Sequence, residues 1–339
     1  MQIAIVGGGI AGLAAAAALG PRHQVTIYEA APERESVGGA LVVWPSARKA
    51  LAEIGALAAV QRSASPIVRG ALHDIEGRAL LRAKDLPVLV VRRPDLLAAL
   101  HAAVPTGVRR EHRQIDNPAE LDAELVIGAD GVRSRVRALI NPAAAERRAT
   151  DYLVMRGELP LQIKPDEAGE YWGRGLLAGM VPLQQGLYWF TTHRSKLGPE
   201  PLDVTTALHE TRSRCAGAAP VIRRVLDAAG AETLATRLWV APPMRRYVEG
   251  RYVVIGDAAH AMTPNLGRGA CDAIVDAVTL ARAIERGRIG QWQARRVVLT
   301  QLARVGSRTL MRVALSQGTD RILNAIPASS GAASPDPVP

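Results

Sequence analysis

QIAIVGGGIAGLAAAAALGPRHQVTIYE, residues 2–29, decides the fold. Gln2 to Val6 is a short apolar run, Gly7-Gly8-Gly9 breaks it, and Ile10 to Leu19 is an Ala- and Leu-rich stretch of high helix propensity. His23 to Glu29 alternates around Val25, Ile27 and Tyr28 and predicts a second strand. The turn between strand and helix spells G-x-G-x-x-G at Gly7, Gly9 and Gly12. Each position has its own demand. The first allows a tight turn, the second lets a pyrophosphate approach bare backbone, and the third lets the helix pack close to the sheet. The N–H groups at the helix start, with Ile10 and Ala11, then face the phosphates. Glu29 ends the second strand, 22 residues after Gly7. A carboxylate there accepts hydrogen bonds from ribose hydroxyls and repels a 2′-phosphate, which suits FAD or NAD over NADP.

Outward from this unit, the chain has 339 residues, room for roughly two domains at about 150 residues each. Hydrophobic residues make up 48% and charged residues 22%, which excludes a disordered or fibrous protein. No apolar run is long enough for a transmembrane helix, and the N-terminus enters the glycine turn without a basic leader, so neither membrane insertion nor a signal peptide is expected. Cys215 and Cys271 have no metal or redox spacing. The expected setting is the reducing cytoplasm, with no metal site. The net charge of +10 raises nucleic-acid binding as a possibility. The arginines are scattered in pairs, however, and twelve aromatics are too few for a base-stacking platform. Attraction for anionic cofactors and substrates, or a solvated surface, accounts for the charge.

Further along, LDAELVIGAD (121–130) and RYVVIGD (251–257) each predict a buried strand that ends in glycine plus aspartate. Residues 151–193 hold six aromatics, Tyr152, Tyr171, Trp172, Tyr188, Trp189 and Phe190, in alternating runs broken by Gly and Pro, the pattern of an antiparallel sheet. Helical patterning is expected from Gly269 to about Ala325, and the Pro-, Ser- and Ala-rich end, 327–339, predicts a disordered tail.

GDAAHAMTPNLGRGACDAIVDAVTLARAI (256–284), together with GADGVRSRVR (128–137) and the glycine turn, resembles the FAD-dependent aromatic hydroxylases, the p-hydroxybenzoate hydroxylase-like group A flavoprotein monooxygenases. It is similar also to salicylate- and urate-hydroxylase-type proteins. The resemblance runs from Met1 to about Pro327. It implies an α/β fold: a three-layer FAD-binding Rossmann-like domain, an inserted, mostly antiparallel substrate sheet, and C-terminal helices. The implied division is 1–70, 91–150 and 245–290 for FAD, 71–90 and 151–244 for the sheet, and 291–326 for the helices.

The resemblance also implies roles. FAD is bound tightly but non-covalently by Gly7, Gly9, Ile10, Ala11, Gly12, Glu29 and Ala30, and by Val42 in VGGALVVWPSARKAL (37–51). Arg93, with Arg92 as the fallback, contacts the phosphate–ribityl region, and Asp130 and Gly131 form the turn near the pyrophosphate. Gly256 and Asp257 approach the ribityl chain, and Pro264, Leu266, Gly267, Arg268 and Gly269 face the isoalloxazine. A helix start there favours the negative charge of reduced flavin. His260 holds its turn or acts in catalysis. Arg133, Arg135 and Arg137 form a phosphate patch or a solvated helix face.

The resemblance implies further that NAD(P)H docks transiently and that reduced flavin takes O2 as a C4a-hydroperoxide to hydroxylate a small aromatic or heteroaromatic ring. The alternatives are a related oxidase, epoxidase or dehydrogenase of secondary metabolism, or a non-catalytic FAD protein. The substrate is expected beneath residues 151–193, opposite Pro264, with Arg156, Trp172, Met180, Tyr188 and Phe190 as candidate walls. Arg156 ends an apolar run and is a candidate for an anionic substrate group; Pro264, Arg268 and Arg156 are the catalytic candidates. The assembly expected is a monomer or homodimer.

Three departures stand out. Ala261 replaces the usual proline, Arg268 stands where glutamine is common, and Ala30 stands where arginine is common. Arg268 has three open roles: pairing with flavin charge, binding an acidic substrate, or facing solvent.

Overall fold

A mostly parallel sheet built around the glycine turn carries one half of the molecule, and a larger, mostly antiparallel sheet carries the other. The computed structural model describes residues 1–31, 39–67, 69–198, 200–316 and 318. Residues 37 and 38 of the expected FAD-lining segment, the end of the expected C-terminal helices and the expected tail lie outside them.

The chain opens with β1 (Gln2–Val6), α1 (Ile10–Leu19) and β2 (Gln24–Glu29). β3 (Ala40–Val43), α2 (Pro45–Glu53), α3 (Leu57–Ser63) and β4 (Ser65–Pro66) follow. Next come β5 (Arg69–Asp74), β6 (Ala79–Lys84), β7 (Leu89–Arg92), α4 (Arg93–Ala103), β8 (Arg109–His112), β9 (Leu125–Gly128) and α5 (Arg135–Ile140). The antiparallel run is β10 (Arg148–Leu159), β11 (Gly169–Gly173), β12 (Leu176–Pro182) and β13 (Leu187–Arg194). It is followed by α6 (Val204–Arg214), α7 (Pro220–Ala228) and β14 (Leu234–Val240). The chain then returns through β15 (Val248–Glu249), β16 (Tyr252–Val254), α8 (Asp257–His260), α9 (Gly269–Glu285) and α10 (Ile289–Ala314).

The first sheet has the order β15-β16-β9-β1-β2-β8. β1 pairs in parallel with β2 on one side and β9 on the other, so chain order reverses at β1 and a crevice opens beyond the strand ends. β16 pairs in parallel with β9, which brings the ends of β1, β9 and β16 side by side. Ala-rich α1 is buried almost all round, which lets it sit close to both sheet and α9. The second sheet has the order β14-β10-β13-β12-β11-β5-β6, and only β11 and β5 pair in parallel. β3, β7 and β4 form a small sheet of their own.

Alternation gives the large sheet two faces. Leu153, Met155, Trp189 and Met180 pack with the α6–α7 residues Leu208, Ile222 and Val225. Tyr152, Trp172 and Leu177 pack on the other face against Met311, Ala314 and Leu315 at the end of α10. Met180 therefore does not share a wall with Phe190. Its register partner is Trp189, one residue off, and a one-residue step in a strand points a side chain the opposite way.

Two expected strands are shorter than their apolar runs. β9 begins only at Leu125, four residues into its run, and β16 stops at Val254. The expected long helical stretch is two helices, because Gly287 takes a left-handed conformation (φ +62°) that ends α9.

Candidate active site

The glycine turn is built by close approach. A Cβ on Gly12 would lie 1.9 Å from the Gly7 carbonyl oxygen, and one on Gly7 would lie 2.4 Å from that of Ala129. Gly9 is different: a Cβ there meets nothing within 4 Å, so its bare backbone borders open space. No side chain caps α1, and its first turn holds no acidic residue. Ile10 and Ala11 point their side chains into the core, leaving only backbone for a ligand. Glu29 locks the turn from the next strand: Oε2 accepts from the Gly8 N–H at 2.7 Å and Oε1 from the Ala31 N–H at 2.9 Å. This bracing was not legible beforehand. Exposed Ala30 accepts from His112 Nε2 through its carbonyl at 2.8 Å.

At the end of β9, Asp130 Oδ2 accepts from the N–H groups of Arg135 (2.7 Å) and Val136 (3.4 Å), starting α5, while Oδ1 is buried without a partner among the described residues. Burial pushes this carboxyl up, against the hydrogen bonds from Ser134 and the backbone. Gly131 turns the chain with φ +72°. Arg137 is neither part of a phosphate patch nor on a solvated face. It is fully buried, and its guanidinium donates to the carbonyls of Val132, Ala144, Ala145 and Ala258, tying α5 to α8; Arg133 and Arg135 are exposed.

At the end of β16, Asp257 is exposed, and its carboxylate makes no hydrogen bond among the described residues. Arg93, at the start of α4, lies within electrostatic range of both Asp257 and Arg156. Burial lowers its pKa, Asp257 opposes that, and Arg156 reinforces it. Arg93 is thus within electrostatic range of two other sequence-predicted residues from separate stretches. Arg92 is directed elsewhere, pairing with Glu158 of β10 at 2.8 Å and linking the small sheet to the large one.

The next loop, a 3₁₀ turn at Pro264–Leu266, ends in left-handed Gly267 (φ +59°). A Cβ on Gly267 would sit 3.4 Å from Val42 and 3.8 Å from Trp44 Nε1, so this loop lies against the end of β3. Cys271 clamps the two, with Sγ donating to the Val42 carbonyl at 3.1 Å and accepting from the Trp44 N–H at 3.4 Å. Pro264 is exposed, and a Cβ on Gly269 meets open space. The amide of Asn265 has both polar atoms buried without a partner among the described residues. Arg268 is a quarter exposed and reaches Asp272 through Nε at 3.5 Å.

His260 is not a free catalytic group. It is buried with Nε2 2.6 Å from Asp276 Oδ2, and the same oxygen accepts from the Gly256 N–H at 2.9 Å. Arg296 of α10 donates to Asp276 Oδ1 at 2.6 Å and to Asp272 Oδ1 at 3.2 Å. Burial disfavours the His260 cation, but Asp276 and then Asp272 outweigh it and raise its pKa. Burial likewise opposes the Asp276 anion, yet Arg296 and His260 hold it well below the usual carboxylate range. Asp272, Asp276 and Arg296 were missed by motif reading. Their only signal was three charged residues on otherwise apolar helix faces.

On the sheet, register places Arg156 beside Phe190 and Leu234, and Glu158 beside Tyr188. Arg156 Nε is buried with no hydrogen-bond partner among the described residues. Burial pushes the Tyr188 phenol up, and Arg156 opposes the shift. Glu170 belongs to the same face through its partner Gly179, which pairs with Phe190. Burial pushes Glu170 up to about 7, although its hydrogen bond from Trp172 Nε1 at 2.8 Å favours the anion.

The described residues include no group of His, Cys, Asp and Glu able to hold a metal ion. They do fit a flavin dinucleotide: open backbone at Gly9, an uncapped α1, and a carboxylate at Asp257 with no protein partner.

Comparison with known proteins agrees. An FAD binding domain family matches residues 82–294, and an NAD(P)-binding Rossmann-like domain matches 5–48. Aurachin C monooxygenase/isomerase of Stigmatella aurantiaca is 31% identical over 313 residues, covering 84% of this chain and 80% of its own. The chain belongs to the FAD-dependent aromatic hydroxylases. Within that family, 3-amino-4-hydroxybenzoate 2-monooxygenase of Streptomyces cremeus is 30% identical, covering 84% of this chain and 79% of its own. The structure of Klebsiella pneumoniae HpxO complexed with FAD and uric acid superposes with a TM-score of 0.84 at 23% identity, over 96% of this chain and 90% of that one. As a member of the family, the protein is an FAD-dependent monooxygenase with FAD as its cofactor. No described helix is long and apolar enough to cross a membrane.

Proposed function

We propose that this hydroxylase inserts one oxygen atom of O2 into a small aromatic or heteroaromatic ring, with electrons from NAD(P)H, in the cytoplasm, as a monomer or homodimer. What supports this is that Arg93, at the dinucleotide crevice, lies within electrostatic range of both Asp257 and Arg156 of the sheet. The FAD-binding unit is then 1–70, 91–150 and 245–290, the substrate sheet 71–90 and 151–244, with 291–326 as C-terminal helices. FAD supplies the hydride-accepting and oxygen-activating chemistry when bound.

The chain's own residues bind and orient. The Gly7–Gly12 turn with Glu29 and Ala30 receives the adenosine diphosphate portion, Asp130, Gly131 and Arg93 the phosphates, and Gly256 and Asp257 the ribityl chain. Val42, Pro264, Leu266, Gly267, Arg268 and Gly269 border the ring system. The wall of Trp172, Tyr188 and Phe190 keeps water from the reacting face, because an apolar enclosure strengthens every polar contact made inside it. Arg156, with no hydrogen-bond partner for Nε among the described residues, receives a carboxylate or phenolate of the substrate. The relatives named for urate, 6-hydroxynicotinate and 3-amino-4-hydroxybenzoate support a polar ring as substrate.

The test is a panel of aromatic and heteroaromatic acids assayed for stimulated NAD(P)H oxidation, oxygen uptake and hydroxylated product. Stimulation that Arg156→Gln weakens through KM supports the reading. A protein that holds FAD but responds to no ring compound argues against it.

A further inference from the structure

The charged groups behind the Pro264–Gly269 loop form one continuous chain. Arg268 Nε reaches Asp272 Oδ2 at 3.5 Å, and Asp272 Oδ1 accepts from Arg296 Nη2 at 3.2 Å. Arg296 Nε donates to Asp276 Oδ1 at 2.6 Å, and Asp276 Oδ2 closes on His260 at 2.6 Å. Asp272, Asp276, Arg296 and His260 are all buried; only Arg268 reaches the surface.

Three features of the outer end matter. Asp272 touches Arg268 through Nε alone, and the two terminal nitrogens of Arg268 make no hydrogen bond among the described residues. The other Asp272 oxygen is held from inside by Arg296, so the carboxylate is fixed and cannot follow Arg268 outward. Its charge is shared between two guanidinium groups, so it neutralises Arg268 only in part.

We propose that Asp272 is a positioning residue for the flavin. By gripping Nε of Arg268 it holds the guanidinium fork at the loop facing the isoalloxazine, where the fork stabilises the anionic reduced ring. A guanidinium held by one edge presents two donors in fixed geometry, which a free side chain does only after losing rotamer entropy. This rests on the proposed reading that the Pro264–Gly269 loop faces the flavin.

The sign of one measurement separates this role from simple charge. Removing a carboxylate near the flavin would, by Coulomb's law alone, favour the reduced anion and raise the flavin midpoint potential. Releasing Arg268 lowers it. The experiment measures the midpoint potential of the FAD-loaded protein without substrate, for the parent, Arg268→Gln, Asp272→Asn and the double variant. Arg268→Gln is expected to weaken binding of reduced relative to oxidised FAD about fivefold, about 20 mV for a two-electron couple. Asp272→Asn is expected to shift the same way, and the double variant to fall no further than Arg268→Gln. An upward shift in Asp272→Asn, or additive shifts in the double variant, overturns the proposal.

If Asp272→Asn does not fold, Arg268→Lys decides. A lysine has one charged head, which Asp272 engages, leaving no fork. Its potential should fall below the parental value although the charge is kept, and a parental value overturns the proposal. A parent protein that binds FAD with a potential indifferent to Arg268 defeats this proposal alone. A parent protein that binds no FAD defeats the functional reading beneath it.

Discussion

Gly9 and Gly12 share a motif but answer to different forces. Gly12 is required by the protein itself, because its missing Cβ is the space occupied by the Gly7 carbonyl. Gly9 has ordinary backbone angles (φ −77°, ψ −168°) and faces open space. Gly9→Val is therefore expected to leave the far-UV spectrum and melting temperature close to parental while abolishing the flavin absorbance of the purified protein. Retained flavin would show that the pyrophosphate lies elsewhere. In the proposed site Asp257 is the counterpart at the ribityl end, a carboxylate with electrostatic neighbours in Arg93 and Arg137 but no hydrogen-bond partner among the described residues. Loss of a charged hydrogen bond costs about 1.5–3 kcal/mol, so titration of apo-protein with FAD should show a Kd roughly 10- to 150-fold weaker for Asp257→Ala. Equal affinities would remove Asp257 from the site.

At the scale of elements, the buried ion network pins α8, α9 and α10 to one another. Replacing one partner of such a group leaves the rest charged and dry, at a cost of about 3–5 kcal/mol. Asp276→Asn is expected to lose stability on that scale by urea denaturation, because Arg296 and His260 both lean on it. His260 adds a pH dependence whose sign follows from its raised pKa. Its stabilisation is full below about pH 6.5, the unfolded value, and fades as pH rises through the folded value. His260→Gln should therefore cost more stability at pH 6 than at pH 9. An equal cost at both would mean the imidazole is neutral in the folded protein.

Across the whole molecule, the small sheet meets the large one where Arg92 bridges to Glu158, and Arg93 beside it lies within electrostatic range of Arg156. The chain's net charge is +10. A surplus of this size draws anionic ligands through solvent and is screened by salt within a Debye length of about 8–10 Å. With NAD(P)H as the proposed electron donor, kcat/KM for NAD(P)H is expected to fall steadily between low and high ionic strength, while FAD stays bound. A flat salt profile would assign the surplus arginines to solvation alone.

The sequence by itself determined the β1–α1–β2 unit, the strand-Gly-Asp endings at Asp130 and Asp257, and the antiparallel texture of 151–193. Each of these is local: a turn needs its glycines and a strand needs its alternation within a few residues. Where Met180 points was also a local matter, but one strand register had to be known first. The partners of Arg137, Asp272, Asp276 and Arg296 were decided only by tertiary structure. A buried charge is defined by what surrounds it, and the carboxylates that act on His260, Asp272 and Asp276, lie on α9, 12 and 16 residues further along the chain. The placing of Arg93 within electrostatic range of Arg156 and Asp257 belongs to the same class. A site assembled across a β-sheet insertion leaves no spacing in the chain, because the insertion's length is free while its contact points are not.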